Sequence, residues 1–131
     1  MLLQLDFHGG TPIYRQIVDQ IRRLAITGVL REGDQVEAVR TLALELKVNP
    51  MTVSRAYSQL EQEGILERRR GIGMFVAAIK LRELRQMRLD LINREMERAA
   101  GQAIQAGLTL EEAAVAFEEQ FKKLKRRRNK P

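Results

Sequence analysis

The sequence holds no cysteine, no tryptophan, one histidine and only three prolines in 131 residues. Without cysteine there are no disulfides and no thiolate metal sites. A single imidazole, His8 beside Gly9-Gly10, leaves too little for a metal centre or a Ser–His pair and reads as a loop residue. No glycine loop of the phosphate-cradling kind precedes a helix, so no nucleophile–base pair and no cofactor is expected, and an enzyme is disfavoured. No apolar run approaches the ~20 residues that a membrane span needs. The N-terminal stretch MLLQLDFHGG lacks the basic lead of a signal peptide. These absences together lead to the expectation of a cytoplasmic protein with no membrane partner.

What is present is a globular mixture, 44% hydrophobic and 31% charged, enough for one ordinary domain or for a small domain with an appendage. The net charge of +6 favours a polyanionic partner. That charge is uneven. Residues 1–76 carry ten Lys/Arg against nine Asp/Glu, whereas residues 77–131 carry thirteen against eight, much of the surplus lying in KKLKRRRNKP at the end. Bulk charge therefore points away from the first half, and local pattern has to locate any polyanion site there. The terminal charge run itself reads as solvated and mobile.

Thr11-Pro12 reads as a helix start, with Thr11 as cap, and Ile13, Ile17, Ile21 and Leu24 recur at helical spacing until Gly28. VLREGD, residues 29–34, reads as a turn. Val39, Leu42, Ala43 and Leu46 define a second short helix. Asn49 then caps, and Pro50 opens, a third helix with Val53, Ala56, Tyr57 and Leu60 inside and Gly64 closing it. Two helices joined by a few residues make a helix-turn-helix. Ile65–Arg69 and Met74–Val76 read as two short strands around Arg70-Gly71-Ile72-Gly73, so the first 76 residues are expected to form a winged helix-turn-helix. The fold class is mostly α with a small β-hairpin wing, followed by two C-terminal helices.

Those two helices occupy residues 77–131. The first runs through 80–107 with a stripe of Leu81, Leu84, Met87, Leu91, Ile92 and Met96; the second starts at the capping box Thr109-Leu110-Glu111-Glu112 and carries Phe117, Phe121 and Leu124. A pair of amphipathic helices does not readily close a core alone, so this region is expected to join a second copy of the chain through Leu84, Leu91, Ile92, Phe117 and Phe121.

With its buried set assigned, the third helix leaves Met51, Thr52, Ser54, Arg55, Ser58 and Gln59 facing out. Hydroxyls donate to or accept from either kind of base, arginine grips guanine O6 and N7 in a fork, and methyl groups meet the thymine methyl. Asn49 and the amides of the helix start suit a phosphate. Arg40 opens the second helix, where it could clamp backbone or reach a base edge. In the wing, Arg69, Arg70 and Gly71 join the candidate set, with Arg70 foremost: arginine there neutralises phosphate or enters a narrow minor groove. Tyr57 and Phe75 read as core aromatics. An alternative remains open: a winged helix that binds protein, with Glu61, Glu63 and Glu67 as an acidic face.

The ordered landmarks PIYRQI, G-x-L-x-x-G-D, VR-x-L-A, VNPMTVSRAY-x-x-L-E-x-E-G and RGIGMFV lie within residues 12–76, and this stretch resembles the DNA-binding domain of the GntR family of bacterial transcription regulators. The short remainder is similar to the YtrA subfamily, whose C-terminal region is a helical dimerisation element. The resemblance implies a homodimer on a palindromic double-stranded operator, repression of an operon such as one for an ABC transporter, and DNA contacts at Arg40, Thr52, Ser54, Arg55, Arg70 and Gly71. It leaves the effector unknown. Val36-Glu37-Ala38-Val39 departs from the family's usual Leu-Pro-Ser-Val: the rigid turn and the serine cap are missing, and Glu37 brings a negative charge near any phosphate.

Overall fold

The computed structural model describes residues 1–129. Its elements in chain order are α1 (Ile13–Ile26), α2 (Val39–Leu46), α3 (Pro50–Gln62), β1 (Leu66–Arg69), β2 (Gly73–Val76), α4 (Leu81–Gln105) and α5 (Leu110–Arg128). The architecture is that of a winged helix followed by two helices.

Helix α1 corrects the expected cap. Pro12, not Thr11, is the N-cap, and no side chain caps the helix. Pro12 has ψ 145°, outside helical backbone, so the helix begins one residue later than expected. Thr11 instead spends its carbonyl on Gln16 Nε2, which donates at 2.9 Å. The buried face is Ile17, Val18, Ile21, Ala25 and Ile26, with Ile13 and Leu24 at its half-buried margins. Gly28 follows at φ +83°, where a side chain would be strained.

Ahead of α1, residues 1–6 run along the helix, an arrangement that periodicity does not announce. Gln20 pairs with the backbone of Gln4 in both directions (2.9 and 2.6 Å), and Gln16 does the same with Asp6 (2.8 Å each way). Two glutamines one turn apart thus stand in for a neighbouring strand, and Leu3 and Leu5 pack against the core.

Helices α2 and α3 meet through Lys47-Val48-Asn49. Lys47 is the one non-glycine at positive φ (+58°) among the described residues; it lets Val48 N–H reach back to Ala43 O at 3.0 Å. Asn49 caps α3 as expected, its Oδ1 accepting from Met51 N at 2.8 Å, with Pro50 as the first helical residue.

Strands β1 and β2 pair antiparallel, with Leu66 opposite Val76 and Arg69 opposite Gly73. The strand expected from Ile65 begins one residue later and the one from Met74 one residue earlier. Residues 33–36, the last part of which was expected to lie beyond a simple turn, form a third edge: Val76 N–H donates to Asp34 O (2.8 Å), Val36 N–H to Met74 O (2.9 Å), and Gly33 N–H to Val76 O (2.9 Å). Val36 is buried by this pairing.

The core joins the helices to the sheet through Ile17, Ile21, Leu42, Val53, Tyr57, Leu60, Ile65 and Leu66. Full burial of side chains of this size is worth roughly 1.5–3 kcal/mol each. One compact unit runs Met1–Arg88 and therefore includes the first two turns of α4. Met87 packs against its core, and Arg88 Nε donates to Ile26 O at 2.9 Å, satisfying a carbonyl at the open end of α1.

The second unit starts at Leu89. Gly107, at φ +75°, ends α4, and the expected capping box opens α5: Glu112 N–H donates to Thr109 Oγ1 (3.1 Å) and Thr109 N–H to Glu112 Oε1 (3.0 Å). The basic run is exposed and, as far as Arg128, helical. Helix α5 continues through Arg128, because Lys and Arg are good helix formers and their charges oppose the negative C-terminal end of the helix dipole. Lys130 and Pro131, which the run also included, lie outside the described residues.

Candidate nucleic-acid interface

Helix α3 presents two flanks. Val53, Ala56, Tyr57 and Leu60 are buried, and on the opposite side Met51, Arg55, Ser58 and Gln59 are exposed, with Thr52 and Ser54 half-buried. A groove of about 540 Å³ is lined by Ile13 and Tyr14 from the start of α1 and by Met51, Thr52, Ser54, Arg55 and Ser58 from α3. Five of the expected site residues therefore share one surface depression. Asn49 sits at the same end of α3, its Oδ1 engaged as the cap and its amide nitrogen without a hydrogen bond among the described residues.

Arg55 is held by something the sequence reading missed. Its guanidinium lies over the Tyr14 ring, Cζ 3.7 Å from the centroid. Arg15 approaches the same residue, Nη2 donating to the Tyr14 hydroxyl at 3.4 Å. That bond, and then the charge of Arg55, hold the Tyr14 hydroxyl below the ordinary tyrosine pKa. Tyr14 was visible in the sequence as part of PIYRQI but carried no signal of its partner, 41 residues further on.

Arg40 is exposed as the second residue of α2. The missing cap is real: Ala38 is the N-cap and offers no side-chain acceptor. The charge of Glu37, however, is compensated. Its carboxylate takes the Met1 ammonium at 2.7 Å, a bond that raises the ammonium pKa, and its carbonyl accepts from the Tyr57 hydroxyl at 2.7 Å. One carboxylate oxygen, Oε2, is buried with no hydrogen-bond partner.

The wing sorts its three arginines. Arg68 is tied to Glu61 (Nε to Oε2, 3.3 Å). Arg69 lies over the Phe75 ring at 4.0 Å and faces Glu67 at 3.6 Å. Among the described residues Arg70 has neither a carboxylate nor a ring, and it stands next to Gly71 at φ +76°. Gln35, also unforeseen, fastens the turn: its Nε2 donates to Ile72 O at 3.2 Å, and any side chain at Gly73 would strike that same nitrogen, 2.7 Å from an added Cβ.

Each glutamate of the acidic face considered for a protein partner has an arginine neighbour. Glu61 is bound to Arg68, Glu67 to Arg69, and Glu63 to Arg22 in a two-pronged contact with both bonds at 2.8 Å. By contrast, Arg40, Arg55 and Arg70 make no ion pair and no side-chain hydrogen bond among the described residues. Tyr57 and Phe75 are buried, as expected of core aromatics.

In the C-terminal helices, Leu84 and Leu91 are half-buried, while Ile92, Phe117 and Phe121 are 53%, 50% and 55% exposed. Phe117 and Phe121 stand together, ring centroids 6.1 Å apart. Among the described residues no helix is long and apolar enough to cross a membrane, and no group of three or more acidic, His or Cys side chains is placed to hold a metal ion.

Residues 13–76 match the profile described as bacterial regulatory proteins, gntR family. The chain is 36% identical over 110 residues to the HTH-type transcriptional repressor YtrA of Bacillus subtilis (strain 168), a match covering 84% of this chain and 85% of that one. Its structure is similar to that of a GntR family transcriptional regulator from Listeria monocytogenes, with TM-score 0.72 and 32% identity over 86% of this chain and 98% of that one. It is also similar to the DNA-binding domain of AraR, solved in complex with operator ORX1 (TM-score 0.52, 25% identity, 57% of this chain, 96% of that one).

Proposed function

Given that this chain belongs to the GntR family of bacterial transcriptional regulators, with a DNA-binding winged helix and no enzymatic role, we propose that it is a homodimeric repressor in the cytoplasm, acting on a palindromic operator of an operon such as one for an ABC transporter. In this reading residues 1–76 bind DNA and residues 77–131 dimerise. Helix α3 enters the major groove: Arg55 reads a base edge, Met51, Thr52, Ser54 and Ser58 line the groove around it, and Asn49 faces a phosphate. Arg40 and Arg70, the latter beside Gly71, neutralise backbone charge on either side, and Arg69 supports the wing from its seat on Phe75.

The observation that carries this reading is the sorting of charge. Arg22, Arg68 and Arg69 are matched by carboxylates, whereas Arg40 on α2, Arg55 on the outer flank of α3 and Arg70 at the wing tip, like Arg15, Arg23, Arg31 and Lys47, have no carboxylate partner among the described residues. Unpaired guanidinium groups are what a polyanion selects. Dimerisation through Leu84, Leu91, Ile92, Phe117 and Phe121 is supported by Ile92, Phe117 and Phe121, each at least half exposed, with Leu84 and Leu91 partly buried beside them in sequence.

Repeated selection from random duplexes, followed by fluorescence-anisotropy titration across salt concentrations, tests the whole. The expected product is an inverted repeat with half-site centres about 34 Å or a multiple apart. The affinity should fall with salt at a log-log slope of about −0.9 for each phosphate neutralised. Selection that yields no repeat, or affinity indifferent to salt, overturns the proposal.

A further inference from the structure

We infer that Tyr14 is a positioning and specificity-determining residue for DNA recognition: its ring is a fixed shelf that presents the Arg55 guanidinium to a base edge. The inference rests on Arg55 being the base reader. It concerns a residue of α1, a helix to which no reading role has been assigned above.

A free arginine side chain samples many rotamers, and a fork that reads a base must give most of them up. Proteins usually hold an arginine still with a carboxylate, as Arg22, Arg68 and Arg69 are held here. A carboxylate occupies the very donors that a guanine would need and cancels the charge. The Tyr14 ring does neither. It lies 3.7 Å from Arg55 Cζ, restrains the plane of the guanidinium through its face, and leaves the N–H edge unspent.

The shelf is itself anchored. Tyr14 belongs to the first turn of α1 and is half-buried against the core. Helix α1 is bolted to the far end of α3 by the Arg22–Glu63 pair at 2.6 Å, and Ile17, Ile21, Val53 and Leu60 fill the space between. Ring and arginine therefore keep their spacing as long as those two helices do. Arg15, with Cζ 5.7 Å from the same centroid, adds a second cation. Two guanidinium groups around one ring, with no carboxylate bound to Arg55, leave a local excess of positive potential that a phosphate or a guanine edge would relieve.

The test compares Tyr14→Phe, Tyr14→Leu, Arg55→Ala and the double variant Tyr14→Leu/Arg55→Ala on the selected operator and on operators changed at the base pair where Arg55→Ala loses discrimination. Tyr14→Phe keeps the ring and should discriminate within about twofold of the parent, whereas Tyr14→Leu should lose roughly two- to fivefold, the value of an exposed cation–ring stack. The salt slope should stay unchanged in both, and the double variant should be no worse than Arg55→Ala alone. Ring-current shifts of the Arg55 side-chain protons, read by NMR in the unmodified full chain, should persist in the operator complex; this measurement does not depend on any variant folding. Parent-like discrimination by Tyr14→Leu, independent effects in the double variant, or loss of the ring-current shift on DNA would each overturn the shelf while leaving Arg55 as the reader. Undiminished discrimination by Arg55→Ala would remove both the reader and its shelf.

Discussion

Asn49 separates two roles that a single alanine substitution would confuse. Its Oδ1 accepts from Met51 N at 2.8 Å and so satisfies one of the amides that the start of α3 leaves without an intrahelical partner, Pro50 having none to offer. Replacing Asn49 by Ala removes that acceptor and should cost about 1 kcal/mol, within a range of roughly 0.5–2. In a domain of this size that lowers Tm by about 3–6 °C. Replacing it by Asp keeps the acceptor, since Asp and Asn cap equally well, and the added negative charge at a helix N-terminus contributes roughly 0.3–1 kcal/mol in favour of the fold.

DNA affinity should move the other way. If the N-terminus of α3 faces a phosphate, the Asp carboxylate stands about 6 Å from it. At effective dielectric constants of about 40–80, Coulomb's law then gives a repulsion of roughly 0.7–1.4 kcal/mol, or about three- to tenfold in Kd. Asn49→Ala, which adds no charge but removes the amide that faces the phosphate, should lose less affinity than Asn49→Asp below its melting range. Thermal melting by circular dichroism and anisotropy titration on the selected operator, each at low and high salt, read the two effects apart. An Asn49→Asp protein that melts no lower than the parent and binds DNA equally well would refute the docking geometry, because the charge would then be facing solvent and not the duplex.

Three further outcomes are expected. Tyr57→Phe should cost about 1–2 kcal/mol in urea unfolding, since it leaves the Glu37 carbonyl without the hydroxyl that donates to it at 2.7 Å. Burial first, then the nearby Glu37 and Glu45, push the Tyr57 pKa up; a folded pKa above the unfolded value of about 10 means that this stabilisation is complete below pH ~10 and is lost as pH rises beyond it, so the parent should weaken in alkali more steeply than Tyr57→Phe. Arg70→Ala should reduce the salt slope on mixed-sequence DNA by about 0.9, and Arg68→Ala by less, because Arg68 already has Glu61; equal slopes for the two would show that intrachain pairing does not decide phosphate contact. Phe121→Glu should sediment as a monomer and bind the full palindrome at least about a hundredfold more weakly than the parent, having lost the second module; an intact dimer would move the interface elsewhere.

The parts of the fold legible in the sequence were those with short-range causes. Asn49-Pro50 and Gly64 bound α3 because a cap and a left-handed stop act within a turn of the residues they serve. The box at Thr109 and Glu112 is legible for the same reason. Thr11 misled because Pro12 itself stands outside helical backbone, at ψ 145°, so that α1 starts one residue later than a Thr-Pro pair suggests. Residues 33–36 were opaque because their partners, Met74 to Val76, lie about forty positions away, and a single-edge pairing leaves no alternation long enough to read. The glutamine pairs of α1 were equally hidden: Gln16 and Gln20 look like solvated positions until the N-terminal segment is laid beside them.

The same distinction explains why the candidate site was half visible. Residue type and helical phase put Thr52, Ser54, Arg55 and Ser58 on the outer flank of α3, and that much is local. Which cations are available to a polyanion is not local. Over residues 1–76 the formal charges nearly cancel, and on composition alone this half should be indifferent to DNA. The fold resolves that paradox by spending its carboxylates unevenly. Glu61, Glu63 and Glu67 lie along one stretch of chain, yet they neutralise Arg68, Arg22 and Arg69, drawn from the wing and from α1. Glu37 is taken up by the chain's own ammonium. Arg40, Arg55 and Arg70 are among the cations left without a carboxylate in the described residues, with Arg15, Arg23, Arg31 and Lys47, and a nearly neutral stretch thereby acquires uncompensated positive charge on the flank of α3 and at the wing tip. Net charge is a property of the sequence; free charge is a property of the fold, and it is the second that a phosphate backbone feels within a Debye length of about 10 Å.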